Sequence, residues 1–177
     1  MQNDHDYNNE KASAQQVLTW VPRLRRYARA LAGNRDDADD LVQNTLERAY
    51  AKSSLWLGVT DMRAWLFSIM HNVDVDGIRR PRLATVVLDD ETPEARVAPT
   101  QDDRLAVLDL QAALEQLPAE QREIMLLVAL EDMSYAEVAA TLGIPVGSVM
   151  SRLSRGRERL RSLLTGHVQP VRLKVVK

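Results

Sequence analysis

The sequence predicts an all-α protein built as two small helical domains joined by a flexible linker. Three observations carry this. Apolar residues recur at helical spacing from position 17 to 80 and again from 104 to 165. The stretch between them, "PRLATVVLDDETPEARVAPTQDD" at 81–103, contains three prolines and an acidic excess and keeps no period. Aromatic residues make up only 5% of the chain and Gly only 7 of 177 positions, which disfavours a β-sandwich or barrel.

Residues 1–16, "MQNDHDYNNEKASAQQ", are polar and read as a disordered tail, unlike a signal peptide. In the first helix Leu24, Tyr27, Ala28 and Leu31 share a face; Pro22 is expected in its first turn and Gly33 just past its end. A second helix runs from near Asp36 to about Tyr50, with Leu41, Val42, Thr45, Leu46 and Ala49 inward. A third runs from Asp61 to about Arg80 and buries Leu66, Ile69 and Val73. Pro81 then disfavours helix at Arg80. Within the linker "TVVL" has strand character, but a lone strand has no partner.

Beyond the linker, Leu105, Leu108, Ala112 and Leu117 suggest one helix, and Pro118 to Leu130 a second. Ser134 followed by Glu137 forms a capping box, so a helix starts at Tyr135 and stops at Gly143. A last helix runs from about Gly147 to Leu164, with Val149, Leu153, Leu160 and Leu164 inward. Residues 166–177 form a C-terminal tail.

The formal net charge of -2 conceals a segregation of charge. The absence of cysteine excludes disulfides and thiolate metal sites and is compatible with a reducing cytoplasm. No apolar run approaches the roughly 18 residues that cross a bilayer. No Ser-His-Asp order, P-loop or glycine fingerprint is present, which argues against an enzyme.

Two helices joined by a tight Gly-bearing turn, "SYAEVAATLGIPVGSVMSRLSRGRERLRSLL", outline a helix-turn-helix. Its second helix would enter a DNA major groove, with Ser148, Ser151, Arg152 and Arg155 at the early exposed positions. Arginine can bond guanine O6 and N7 together, and serine can bond bases or phosphates. Arg157, Arg159 and Arg161 lie further along, where phosphate or solvent is the natural contact. Exposed arginines are most often only solvated, and a helix C-terminus favours them anyway. Capping box, Gly turn and basic second helix together outweigh that reading.

In the first block, Asp40, Gln43, Asn44 and Glu47 fall at i, i+3, i+4 and i+7 on one stripe. Such a stripe is either a solvated surface or a docking face for a basic partner helix. Asn72, Asp76 and Arg79 line the third helix, with Arg80 close behind and Trp56 and Trp65 nearby. Amide, arginine and aromatics together suit unpaired bases. Trp65 reads as core and Trp56, beside Gly58, as exposed. His71, Asp74 and Asp76 are spread around the helix axis, so no metal site and no cofactor are expected.

The segments "DADDLVQNTLERAY", "MRAWLFSIMHNVDVDGIRR" and "LPAEQREIMLLVALEDMSYAEVAATLGIPVGSVMSRLSRGRERLRSLL" resemble regions two and four of extracytoplasmic-function (ECF) sigma factors, over roughly residues 20–80 and 104–165. The resemblance implies a non-catalytic, cytoplasmic subunit of bacterial RNA polymerase that selects promoters. By the same resemblance, Asp40, Gln43, Asn44 and Glu47 match the surface that docks on the polymerase β′ coiled coil, and region four the partner of the β flap. Trp56 and Asn72 match positions near the flipped base of the −10 element, with Arg79 and Arg80 as backbone contacts. Ser148, Ser151, Arg152 and Arg155 match the reader of the −35 element. Met150 departs from the pattern, since many relatives carry a basic residue there. The resemblance also implies an anti-sigma partner. The rival reading is a sigma-like decoy that sequesters an anti-sigma protein without binding DNA.

Overall fold

The computed structural model describes residues 3–53, 58–78 and 101–167. Among them the chain forms seven helices: α1 (Asn3–Ala32), α2 (Arg35–Ala51), α3 (Met62–Ile78), α4 (Gln101–Glu115), α5 (Ala119–Glu131), α6 (Tyr135–Leu142) and α7 (Val146–His167). Helices α1–α3 pack on one another, as do α4–α7. The "TVVL" segment, Trp56, Arg79 and Arg80 lie outside the described residues.

Several boundaries have a local cause. Asn34 caps α2 by accepting a hydrogen bond from the backbone N–H of Asp37. The preceding Gly33 sits at φ +79°, left-handed backbone that glycine adopts without strain. Ser134 and Glu137 close a reciprocal capping box at the start of α6, and Gly143, at φ +65°, ends it.

The core faces of α1, α2 and α3 are those the periodicity predicts. Leu24, Tyr27, Ala28, Leu31, Leu41, Val42, Thr45, Leu66, Ile69 and Val73 are all buried. Tyr27 meets Phe67 edge-on, with ring centroids 4.9 Å apart. Val149 and Leu153 anchor α7, while Leu160 and Leu164 are half-buried.

Two expectations change. Residues from Asn3 onward are helical, where a disordered tail is expected, and Pro22 falls inside α1 and not in its first turn. No Gly or Pro interrupts residues 3–16, so the helix continues backward. Pro22 is exposed, so solvent can satisfy the carbonyl it leaves without a donor. In α4, which begins at Gln101 inside the expected linker, Leu105, Leu108 and Ala112 are exposed; Ala113 and, beyond the helix, Leu117 are buried instead. The apolar period of α4 therefore marks a face that the rest of the described chain leaves uncovered.

The two halves are not separate. α1 packs against α5, α3 against α6, and α1 against α4. One contiguous cluster of buried apolar residues runs from Leu24 and Phe67 through Ile124 and Val138 to Val149.

Candidate nucleic-acid and polymerase interface

α7 presents its N-terminal half outward. Ser151 and Arg155 are exposed, and Ser148 and Arg152 are half-buried. The Ser151 hydroxyl donates to the carbonyl of Ser148 (3.1 Å), and Arg155 Nε donates to the carbonyl of Ser151 (3.2 Å). These bonds tie the side chains to their own helix and keep them on one line. Arg152 Nη2 lies 3.1 Å from Glu120 Oε2 at the start of α5. Glu120 is 68% exposed, so this ion pair is solvent-screened and readily exchanged for another anion. Met150 is exposed on the same helix.

The back of α7 is set by Gly156. A Cβ there would meet Met125 Sδ at 2.9 Å and Gln121 Cβ at 3.3 Å. Glycine thus lets α7 seat closely on α5, and that seating aims the serine–arginine face away from the core.

In the first domain Asp40, Gln43, Asn44 and Glu47 are all exposed. Gln43 Nε2 donates to Glu47 Oε1 (3.0 Å) and Asn44 Nδ2 to the carbonyl of Asp40 (2.8 Å). The stripe is held together and faces solvent opposite Leu41, Val42 and Thr45. Asn72 is exposed on α3, its amide donating to the carbonyl of Ser68 (2.8 Å). Trp65 is half-buried against the core, as expected.

The residues of "HNVDVD" turn to different partners. His71 Nδ1 lies 2.7 Å from Glu123 Oε1 of α5, and Asp76 receives Arg48 at 2.8 Å. Among the described residues no three His, Cys, Asp or Glu groups gather in a metal-holding arrangement. No described helix is long and apolar enough to cross a membrane.

Sequence reasoning missed a polar cluster between the domains. Glu131, whose side chain is 0% exposed, lies 3.1 Å from Arg26 Nη2 and 3.3 Å from Arg23 Nε, both on α1. Arg26 also donates to the carbonyl of Leu130 (2.6 Å), and Arg63 of α3 to the carbonyl of Glu131 (2.9 Å) and to Glu137 Oε1 (2.5 Å). Burial pushes the Glu131 carboxyl above its ordinary range, against the opposing pull of Arg26, Arg23 and Arg63. The two capping bonds from Ser134 pull the Glu137 carboxyl below its ordinary range, and Arg63 adds to this. The bond to Glu123 raises His71 above its ordinary value of 6.5, although burial opposes it. One signal in the sequence pointed here: α5 has no basic residue in its last turn, and Glu131 stands at an inward position of an apolar helix.

Comparison with known proteins fits this arrangement. Residues 17–71 match the family model described as the Sigma2 domain of PhyR, and residues 108–160 match Sigma-70, region 4. The chain is 38% identical over 149 residues to the ECF RNA polymerase sigma factor EcfG of Rhodopseudomonas palustris, covering 84% of this chain and 82% of that protein. This chain belongs to the ECF RNA polymerase sigma factor family. It is also 40% identical to the ECF sigma factor SigE of Mycolicibacterium smegmatis, over 85% of this chain and 61% of that protein. Among solved structures, the sigma factor RpoE of Bartonella quintana, in complex with the anti-sigma factor NepR, superposes with a TM-score of 0.70 at 32% identity, covering 85% of this chain and 95% of that one. CnrH, in complex with the cytosolic domain of CnrY, gives a TM-score of 0.64 at 29% identity, covering 89% of this chain and 90% of that one.

Proposed function

We propose that this ECF sigma factor docks on core RNA polymerase through Asp40, Gln43, Asn44 and Glu47 and reads a promoter with both domains. In this reading the acidic and amide stripe of α2 meets the β′ coiled coil, and the second domain meets the β flap. Asn72, with Trp56, Arg79 and Arg80, holds the unstacked −10 strand. Ser148, Ser151, Arg152 and Arg155 read the −35 element in the major groove. The chain works in the cytoplasm as a subunit without catalysis of its own.

One observation carries the proposal: Asp40, Gln43, Asn44, Glu47, Asn72, Ser151 and Arg155 are exposed, on helices α2, α3 and α7 whose opposite faces are packed in the core. The chemistry suits each role. A fork of guanidinium donors matches the acceptor pair of guanine in closed duplex. An amide on an open helix face suits a base edge only after the base has left the stack. Because Glu120 is mostly exposed, Arg152 can leave it for DNA at little cost.

An anti-sigma partner belongs to the same proposal, supported by the RpoE structure, solved with the anti-sigma factor NepR, and by the CnrH structure, solved with the cytosolic domain of CnrY. The exposed apolar residues Leu105, Val107 and Leu108 of α4 are compatible with one. The decoy reading shares this partner and draws on the domain-to-domain packing, which separates from DNA reading any role that a closed molecule can play. Run-off transcription with core polymerase separates the two. An active factor yields discrete start sites that depend on Arg152; a decoy yields none, although it still captures the anti-sigma protein.

A further inference from the structure

α6 and α7 meet beside a cavity lined by none of the residues assigned above to DNA or polymerase. Its volume is about 270 Å³, just below the roughly 300 Å³ at which pockets for drug-sized ligands begin. Met150, Ser154, Arg157 and Arg161 reach it from a single stripe of α7, at i, i+4, i+7 and i+11. Tyr135, the first residue of α6, lines it as well. Leu153 and Tyr135 are buried and half-buried, whereas both arginines are exposed, so the cavity is apolar at depth and basic at its rim.

These two arginines differ from the others. Arg23, Arg26, Arg48, Arg63 and Arg152 each lie within ion-pair distance of a carboxylate on another helix. Among the described residues Arg157 and Arg161 form no ion pair, although Glu158 lines the same cavity. The helix dipole favours cations in a last turn, and Arg157 stands well before the end of α7 at His167. Two guanidinium forks one turn apart match the oxygens of a phosphate group. A phosphate alone leaves the rest of the wall unexplained. Tyr135, Met150 and Leu153 offer ring, thioether and aliphatic surface to an aromatic group. Glu158 repels an anion but accepts from N–H donors. One ligand type reconciles all three: anionic at one end, aromatic at the other, with N–H donors on the ring edge. Guanine supplies that edge through an amino group that adenine does not place there.

We propose that this cavity binds a guanine nucleotide, its phosphates on Arg157 and Arg161, its base against Tyr135 and Met150, and its amino edge on Glu158. A stretch of duplex backbone offers phosphates but keeps its bases stacked, which leaves Tyr135 and Glu158 without a partner. The net charge of -2 gives the chain no general attraction for polyphosphates, so affinity has to come from the cavity. A nucleotide held there lies on the same helix as Ser151 and Arg155. Its effect on −35 recognition rests on the promoter reading above; the binding itself does not.

Titration calorimetry of the full chain with GDP at physiological salt tests the site. One GDP should bind per chain, with ADP at least fivefold weaker and guanosine and inorganic pyrophosphate each at least tenfold weaker. Arg157→Ala/Arg161→Ala should weaken GDP at least tenfold with helical content unchanged, since both side chains are exposed. Arg159→Ala, exposed on the opposite side of α7 by helical spacing, should leave GDP binding unaltered. Glu158→Gln should bring GDP and ADP within twofold of each other, because an amide can pair with adenine as well. Pyrophosphate binding as tightly as GDP would reduce the site to a simple anion contact and overturn the proposal. Absence of saturable GDP binding overturns it too, as does parity of GDP and ADP in the parent chain. An equal loss in Arg159→Ala would assign the binding to diffuse charge and likewise overturn it. Transcription does not enter these comparisons, so failure of the promoter reading leaves them standing.

Discussion

The two turns that flank α6 are built on opposite principles. The turn after it is self-sufficient: Gly143 supplies left-handed backbone, and the N–H groups of Gly143 and Ile144 both return to the carbonyl of Ala139. The turn before it takes arginines from α1 and α3, as many as a hundred residues away in sequence. The first turn sets the angle at which α7 is presented; the second sets where the whole helix-turn-helix sits on the neighbouring domain. The lesson is a division of labour. The geometry that aims α7 is locally specified, whereas the contact that places it against the first domain is non-local, polar at the Glu131 clasp and apolar in the core beside it.

The largest expected effect lies on the first domain, which supplies the arginines of the second turn. Reversing charge in Asp40→Lys/Glu47→Lys should lower affinity for core polymerase by tenfold or more, a loss of about 1.4 kcal/mol or greater. Both residues are exposed, so helical content should not change. Co-purification with polymerase at the parent level would show that the stripe is not the docking face.

Next in size is damage to the self-sufficient side. Gly156→Val forces side-chain atoms into Met125 and Gln121 and should cost about 1–3 kcal/mol in thermal or denaturant unfolding. Gly143→Ala places a side chain at φ +65° and should cost about 1–2 kcal/mol. Both should weaken −35 reading through misaim of α7, yet leave polymerase binding by the first domain near normal. Equal loss of both functions would mean that the two domains are not separable in the way described.

The smallest effect concerns His71. Its pKa is raised by the hydrogen bond to Glu123, with Asp74 on its own helix adding to the shift. A raised folded-state value means the contact contributes fully below about 6.5, the unfolded value, and is lost as pH rises through the folded one. Stability against denaturant should therefore fall modestly between pH 6 and 8, by less than about 1 kcal/mol given the partial exposure of His71. His71→Gln should flatten that dependence. A dependence of opposite sign would contradict the assigned contact.

How much of this was legible in the sequence follows the same division. Capping box, Gly143 and the inward faces of α2, α3 and α7 were all readable, because each is decided by residues within four positions of one another. That Asp40, Gln43, Asn44 and Glu47 share one exposed face of α2, and Ser151 and Arg155 one exposed face of α7, was readable for the same reason. α4 was not: Leu105, Leu108 and Ala112 keep helical spacing but stay exposed, and periodicity states only that a face is apolar, not that something covers it. The start of α1 was misjudged because polarity was equated with disorder, although nothing in residues 3–16 breaks a helix. The clasp on Glu131 was invisible because its members come from three helices, and no local pattern announces which arginine will reach a distant helix end.

The central claim is that α7 reads closed duplex while α3 holds strands already apart. It is tested most directly by transcription from a promoter carrying a pre-melted −10 bubble, comparing Asn72→Ala with Arg152→Ala/Arg155→Ala. The bubble should restore Asn72→Ala to near the parent level and leave the arginine variant impaired, since a lost base contact costs about 1–3 kcal/mol in discrimination whether or not the downstream strands are open. Equal rescue of both, or of neither, would contradict the account.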